Sequence, residues 1–307
     1  MAYIRAKVKG NAVFYELVEG RRVGGKVRQK VIRYLGALEQ ANRYARGHGI
    51  EPVPTPGLLD PNLAKLINRK LRELDALRPL QPETLASLRE KLTVDLAYNS
   101  NAIEGNTLTL GETKLVVLDG ITVGGHPIRE IFEARNHKEA LDLVYKIAER
   151  KNLIRERDVL ALHGAITHDT LPEERSGVYR LGNVMITGSK HKPPDWKDAP
   201  EMMQKIVYPE LNSQTKGAAA VESAAKIHYW TVNIHPFADG NGRLARLLMN
   251  FRLIRGGLPP AVTLVRERAK YYGVLEHGHL KKDLSPFANF VGRDVLRALD
   301  LWLSVAR

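Results

Sequence analysis

His235-Pro236-Phe237-Ala238-Asp239-Gly240-Asn241-Gly242-Arg243-Leu244-Ala245-Arg246 is the stretch on which the reading of this chain turns. Residues 219–232 before it have the composition of a helix, Pro236 and Gly240-Asn241-Gly242 make a loop, and a second helix follows from Leu244. A loop that feeds a helix N-terminus offers unpaired N–H groups and the positive end of the helix dipole to an anion. Two glycines let that backbone come close to a phosphate, because no Cβ stands in the way. Arg243 and Arg246, three residues apart, project from one side of the first turns and suit bidentate capture of phosphate oxygens. Asp239 is an acceptor-only carboxylate of the kind that holds Mg²⁺ together with substrate phosphates. His235, with an ordinary pKa of about 6.5, can remove a proton at neutral pH. Singly, a His before Pro, a Gly-Asn-Gly turn and an Arg pair are commonplace; their order and spacing together point to nucleotide chemistry. Gly240 to Ala245 also matches the G-x-G-x-x-A dinucleotide fingerprint. A helix precedes the match where a strand is required, and no βαβ pattern follows.

Working outward, the chain from about residue 61 has helical periodicity. Leu63, Leu66, Ile67, Leu71 and Leu74 share one face, as do Leu85, Leu88, Leu92 and Leu96. Thr109 and Glu112 form a capping box before Leu115-Val116-Val117-Leu118. Further helices are expected at 131–150, 155–168, 199–207, 217–232, 242–255, 268–275 and 286–305, with one β-hairpin at 179–188. Residues 1–36 are strand-like, with Glu19-Gly20 and Gly24-Gly25 as turn signals. Residues 47–60, rich in Gly and Pro, read as a linker. The fold class expected is mainly α: a small basic β-rich module at 1–46, then a helical domain at 61–307.

Charge is uneven. Residues 1–50 hold eleven Lys/Arg against three Glu, a net of +8, out of +13 for all 307 residues. That concentration is an electrostatic footprint for nucleic acid or an acidic partner, or else simply the solvated surface of a small domain. The absence of cysteine excludes disulfides, thiolate metal sites and cysteine nucleophiles. No apolar run is long enough to span a membrane and the N-terminus lacks a signal-peptide core, so a cytoplasmic location without membrane attachment is expected.

Residues 235–246 fit the Fic signature H-x-F-x-[DE]-G-N-G-R-x-x-R at every defined position, and the chain from about residue 60 onward resembles that family of protein adenylyltransferases. Gly177-Val178-Tyr179-Arg180 through His191-Lys192-Pro193-Pro194 resembles the family's flap hairpin, at about 177–194. The resemblance implies Mg²⁺-dependent transfer of AMP from ATP to a Ser, Thr or Tyr hydroxyl of a protein. His235 would deprotonate the hydroxyl and Asp239 would hold Mg²⁺. Gly240, Asn241 and Gly242 would form the anion hole, with Asn241 also reaching the α-phosphate. Arg243 would bind the β-phosphate and Arg246 the γ-phosphate. Gly242, where a phosphate-transferring branch of the family carries Lys, favours nucleotidyl transfer. Tyr272 and Leu275 would flank the adenine, and His279 stands where many relatives have Asn.

Ser100-Asn101-Ala102-Ile103-Glu104-Gly105 is similar to the family's inhibitory motif [ST]-x-x-x-E-[GN]. It implies a helix ending near 104 whose Glu104, with Ser100, blocks Arg246. In some relatives that Glu orients a water that removes AMP. Residues 4–36 resemble short basic β modules at the front of some transposases, which keeps a nucleic-acid partner in view. The alternatives are a nucleic-acid-binding regulator with a secondary Fic domain, or transfer of another nucleotidyl group. Self-modification and a homodimer are both compatible with this reading; the protein substrate is not legible.

Overall fold

The computed structural model describes residues 2–9, 12–23, 26–50, 57–150 and 152–307. The chain forms two compact units, Met1–Gly57 and Leu58–Arg307.

The first unit is an antiparallel sheet of β1 (Ala2–Lys9), β2 (Ala12–Val23) and β3 (Lys26–Gly36), in that order. Helix α1 (Leu38–Gly47) follows. Tyr15, Leu17 and Leu35 are buried with Ala41 of α1, which closes one face of the sheet. Two expectations change here. β2 runs through Glu19-Gly20, which pair with Lys30 and Gln29, so no turn forms there; the turn expected at Gly24-Gly25 lies outside the described residues. The module also contains a helix, and the expected boundary at 46 falls in its last turn.

The second unit is helical, as expected. It comprises α2 (Pro61–Asp75), α3 (Pro82–Ile103), α4 (Leu110–Lys114), α5 (Ile128–Glu149), α6 (Glu156–Thr167), α7 (Ala199–Met202), α8 (Tyr208–Leu211), α9 (Gly217–Ile234), α10 (Asn241–Arg255), α11 (Arg268–Lys281) and α12 (Ser285–Ala306). The starts are written in the sequence. Pro61 and Pro82 occupy first turns, where their missing N–H costs nothing. Asp60 caps α2 by accepting from Asn62 and Leu63 N–H. The linker expected at 47–60 therefore ends sooner, with Leu59 already buried; residues 51–56 lie outside those described. The Thr109–Glu112 box forms in both directions, at 2.8 and 3.2 Å.

Helices α9 and α10 make the centre, and both are buried around most of their circumference. Such helices lose the amphipathic stripe of a surface helix. The small residues Ala220, Ala224 and Ala225 line α9, and a Cβ on Gly256 would meet the Ala220 Cβ at 2.4 Å. That close approach fixes α10, and with it the loop that starts it. α12 packs on α2 and α9, while α5 lies against α3, α6 and α10.

The segment expected as a hairpin at 177–194 doubles back but carries no strand ladder. Side chains hold it: Arg180 donates to Gly182 and Pro194 carbonyls, and Asn183 Oδ1 accepts from Trp196 N–H. At its tip Ser189 and the Lys190 N–H donate to Glu276 of α11.

Arg252, fully buried near the end of α10, ties it to the approach of α9 by donating to the Thr215 carbonyl at 2.6 Å and Ser223 Oγ at 3.3 Å. Arg252→Ala removes charge-assisted bonds and leaves buried acceptors unpaired. It should lower stability by about 2–4 kcal/mol, read as a shift of the urea midpoint.

Candidate active site

Helix α9 has to stop at His235, because the residue before a proline is disfavoured in the α region. His235 leaves the helix in the left-handed region, with φ 50° and ψ 58°, a conformation that carries about 1–3 kcal/mol of strain in a non-glycine residue. Arg180 holds it there. Its Nε donates to the His235 carbonyl at 2.8 Å and its backbone N–H to the Pro236 carbonyl at 3.0 Å. Beneath the loop, buried Phe237 stacks on His163, with ring centroids 3.8 Å apart. Gly177 N–H donates to His163 Nδ1, which puts the imidazole proton on Nε2, where it donates to the Asp239 carbonyl at 3.0 Å. Asn241 closes the loop on itself: Oδ1 accepts from Phe237 N–H at 3.0 Å and Nδ2 donates to the Phe237 carbonyl at 2.9 Å. Both ends of that amide serve the loop.

Burial pushes the His235 imidazole below its ordinary pKa, and the Arg180 charge acts in the same direction. The ring is therefore neutral at pH 7. Its Nδ1 faces the Val232 carbonyl at 3.4 Å, which assigns the proton to Nδ1 and leaves a lone pair on Nε2.

Helix α10 starts on Gly240, itself left-handed at φ 76°, so the N–H groups of Asn241, Gly242 and Arg243 head the helix without intrahelical partners. Arg243 and Arg246 are 3% and 4% exposed. Arg243 Nη1 lies 3.2 Å from Glu133, yet neither Nη1 nor Nε has an aligned hydrogen bond. A buried guanidinium with idle donors at a helix N-terminus is built for an anion. Arg246 is more fully engaged. Nε donates to Ser100 Oγ (2.9 Å), Nη2 to the Ser100 carbonyl (2.9 Å) and Glu104 Oε1 (2.7 Å), and Nη1 to Tyr271 Oη (3.2 Å). Burial alone would lower the Arg246 pKa; the Glu104 charge and Tyr271 outweigh it and raise it. A Cβ on Gly242 would sit 2.3 Å from Glu104 Oε1. The Glu104 carboxylate thus rests over the start of α10, on Arg246.

Asp239 takes part in a second charge group. Its Oδ2 is 2.8 Å from Arg129 and 3.8 Å from Arg243, and Arg129 and Arg243 share Glu133. Among the described residues no three His, Asp or Glu side chains gather into a metal cage, so a cation here would rest on Asp239 and the oxygens of a bound phosphate. Of the two residues assigned to adenine, Tyr272 is half exposed, with its hydroxyl 3.4 Å from the Ile103 carbonyl, whereas Leu275 is buried in the core. His279 is buried between Asn233 and His191.

Arg180, Arg129, Glu133 and Tyr271 were not singled out from the sequence. The i,i+4 spacing of Arg129 and Glu133 marks a helix face; nothing in it marks Asp239, 110 residues away, as the partner.

Comparison with known proteins gives this geometry a family. A Fic-domain-containing signaling protein from Bacteroides thetaiotaomicron superposes with a TM-score of 0.69 at 30% identity, covering 80% of this chain and 97% of that one. The chain belongs to the Fic family. A Fic family protein from Desulfovibrio desulfuricans matches with a TM-score of 0.67 at 30% identity, over 82% of this chain and 75% of that one. The Fic/DOC family model matches residues 153–253. A protein adenylyltransferase Fic from Nematostella vectensis is 37% identical over 208 residues, covering 67% of this chain and 48% of the relative. One from Drosophila mojavensis is 32% identical over 246 residues, covering 80% and 48%. The chain thus spans about half the length of the curated relatives it matches. Residues 4–75 match the N-terminal domain of IS1634 family transposases. No helix of the described residues is long and apolar enough to cross a membrane.

The buried histidines of the Fic unit make its stability depend on pH. Burial lowers His137 to about 3 and His163 and His279 to about 4, whereas unfolded they titrate near about 6.5. Between those values the unfolded chain binds more protons, so stability is full above about pH 6.5 and falls as the pH drops. Urea midpoints should decline between pH 7 and about 5, before most carboxylates titrate. His279→Asn should flatten that decline.

Proposed function

We propose that this Fic protein transfers AMP from ATP to a Ser, Thr or Tyr hydroxyl of a protein, and that Glu104 restrains it. The observation that carries the reading is the pair of buried arginines at one helix N-terminus, Arg243 with idle donors and Arg246 already holding a carboxylate. On this reading the β-phosphate takes the Arg243 donors, and the γ-phosphate replaces Glu104 on Arg246. The α-phosphate lies against the N–H groups that head α10. The target hydroxyl loses its proton to His235 Nε2 as its oxygen attacks the α-phosphorus; the bond to the β-phosphate oxygen breaks and pyrophosphate leaves. A magnesium ion held by Asp239 and the phosphates would neutralise charge on their oxygens. Most of the catalysis is positioning and electrostatics, which the rigid loop supplies.

Label from ATP should reach protein when carried on the α-phosphate and not when carried on the γ-phosphate. His235→Ala should cut incorporation by about 10²–10⁴-fold, the usual contribution of a positioned base. Glu104→Gly should raise it at least about tenfold, corresponding to about 1.4 kcal/mol. Equal incorporation by wild type and Glu104→Gly across ATP concentrations would remove Glu104 from the account. ATP should compete better than UTP, GTP or CTP.

Arg129 holds the carboxylate that the metal needs. Arg129→Ala should lower the Mn²⁺ concentration for half-saturation of the ATP-loaded protein by about two- to fivefold, the scale of an exposed ion pair. Electron paramagnetic resonance of free Mn²⁺ reads this directly.

For the N-terminal unit we propose DNA as partner. Its net charge of +8 over residues 1–50 and its likeness to a transposase N-terminal domain support this, since transposases act on DNA.

A further inference from the structure

The sheet of the N-terminal unit has two unlike faces. One is closed by α1, over Tyr15, Leu17 and Leu35. On the other, the register places Tyr3 opposite Val18 and Val31, Arg5 opposite Glu16 and Tyr34, and Lys7 opposite Phe14. Residues opposite one another across a ladder share a face. Contacts agree with this placement. Gln29 Nε2 donates to Tyr3 Oη at 2.6 Å and Arg5 to Gln29 Oε1 at 3.0 Å, while the Phe14 and Tyr34 rings lie 5.8 Å apart.

Tyr34 is 57% and Tyr3 38% exposed. They stand on the two outer strands with β2 between, about 10 Å apart across the sheet, so each ring is available to a ligand and not to the other. Val31 is also exposed. Glu16, the acidic residue of this face, is paired by both Arg5 (3.0 Å) and Lys7 (3.7 Å). Exposed Arg28, Lys30 and Arg33 of β3 are opposite Arg21, Glu19 and Leu17 and so belong to the other face, Arg33 lying over the Tyr44 ring of α1. The result is a sheet face whose outer strands carry exposed aromatic rings on either side of the buried Glu16 and Val18, within a strongly basic unit.

We infer that this face is a platform for single-stranded DNA, on which unpaired bases stack against Tyr34 and Tyr3 while Arg5 and Lys7 hold the phosphates. The inference rests on the reading of DNA as partner of this unit and names the strandedness and the surface. Bases inside a duplex are already stacked on each other and offer no free face to a side chain. Exposed rings therefore select unpaired bases, each worth about 1–3 kcal/mol, with little sequence preference. A unit that read duplex grooves would present polar side chains to base edges instead.

The test is fluorescence anisotropy of a short labelled oligothymidylate titrated with the full chain at salt between about 50 and 200 mM. Binding should weaken linearly in log–log form as salt rises. Tyr34→Ala and Tyr3→Ala should each weaken it about 5- to 150-fold. Tyr34→Phe should bind within about twofold of wild type, because the ring that stacks is kept, and this shows that the sheet is intact. Binding lost in Arg28→Glu/Lys30→Glu but untouched by both tyrosine changes would overturn the stacking face and leave DNA as partner. Tighter binding of a duplex, or of the matching oligouridylate, would overturn the choice of single-stranded DNA. Tyrosine changes that convert a dimer to a monomer in sedimentation without affecting oligothymidylate binding would make the face a contact between copies. Absence of binding at any salt would overturn both readings of the unit. Transfer of α-phosphate label by the same variants should stay at the wild-type level, since neither tyrosine belongs to the nucleotide site.

Discussion

Arg246, a guanidinium buried to 4% exposure and paired with a carboxylate, is the group on which the site depends. It joins three helices at once: Ser100 and Glu104 at the end of α3, its own α10, and Tyr271 of α11. Removing one partner of a buried pair is far more costly than its net contribution suggests, because an uncompensated charge remains. The anion on Arg246 is therefore the exchangeable partner, while Ser100 and Tyr271 keep the guanidinium hydrogen-bonded. Two local features make Glu104 the resident anion. Gly242 has no Cβ to collide with its carboxylate, and α3 ends at Ile103, so that Glu104 is its C-cap residue. A carboxylate at a helix C-terminus is unfavourable with the dipole, and the cation opposite offsets this.

The loop between α9 and α10 meets a different requirement. Its strained His235 persists because surrounding bonds over-determine it: Arg180 from one side, the Asn241 amide bridging to Phe237 from below, and His163 holding the Asp239 carbonyl. All are groups whose alternative would be an unsatisfied buried donor or acceptor. The histidine, the acidic residue and the helix N-terminus are thereby fixed relative to each other before any ligand arrives. That is the condition under which positioning contributes to a reaction. Phe237 adds no polar chemistry; it seats the loop on the core.

Much of this was legible because it is local. Prolines at first turns, the Thr109–Glu112 box and helical periodicity located the α elements, and a motif of twelve contiguous residues located the loop. What escaped is long-range or cooperative. Arg180 lies 55 residues from the carbonyl it supports, and Arg129 lies farther still from Asp239, so neither sequence neighbourhood carries a sign of the partner. Gly182-Asn183 and Gly188 mark a reversal, and the chain does reverse there. Whether its arms pair as strands depends on competition from the Arg180 and Asn183 side chains, which take carbonyls and N–H groups a ladder would use. Glu19-Gly20 misled for a related reason, since the adjoining strand of an antiparallel pair holds a glycine extended when the ladder continues on both sides. Helix α1 is amphipathic, but its inward positions Ala41 and Ala45 are small, so charged and polar residues dominate its ten-residue sequence.

Taken together, the charges around the loop form closed pairs in the absence of ligand: Glu104 with Arg246, Asp239 with Arg129, and Glu133 between Arg129 and Arg243. Under the proposed function the γ-phosphate and the metal then enter by exchange, a phosphate for a carboxylate on one side and a metal for a guanidinium on the other. Exchange binding is weaker than binding to an open site by the free energy of the internal pair. That cost differs between the two sides. Arg246 and Glu104 meet with the guanidinium buried, whereas Arg129 and Asp239 are each about half exposed and screened by water and salt. Control of the reaction should therefore reside at the buried pair, with the exposed pair setting only how readily the metal is taken up. This asymmetry follows from burial alone, and it is why the short motif on α3, far from the signature in sequence, belongs to the same site.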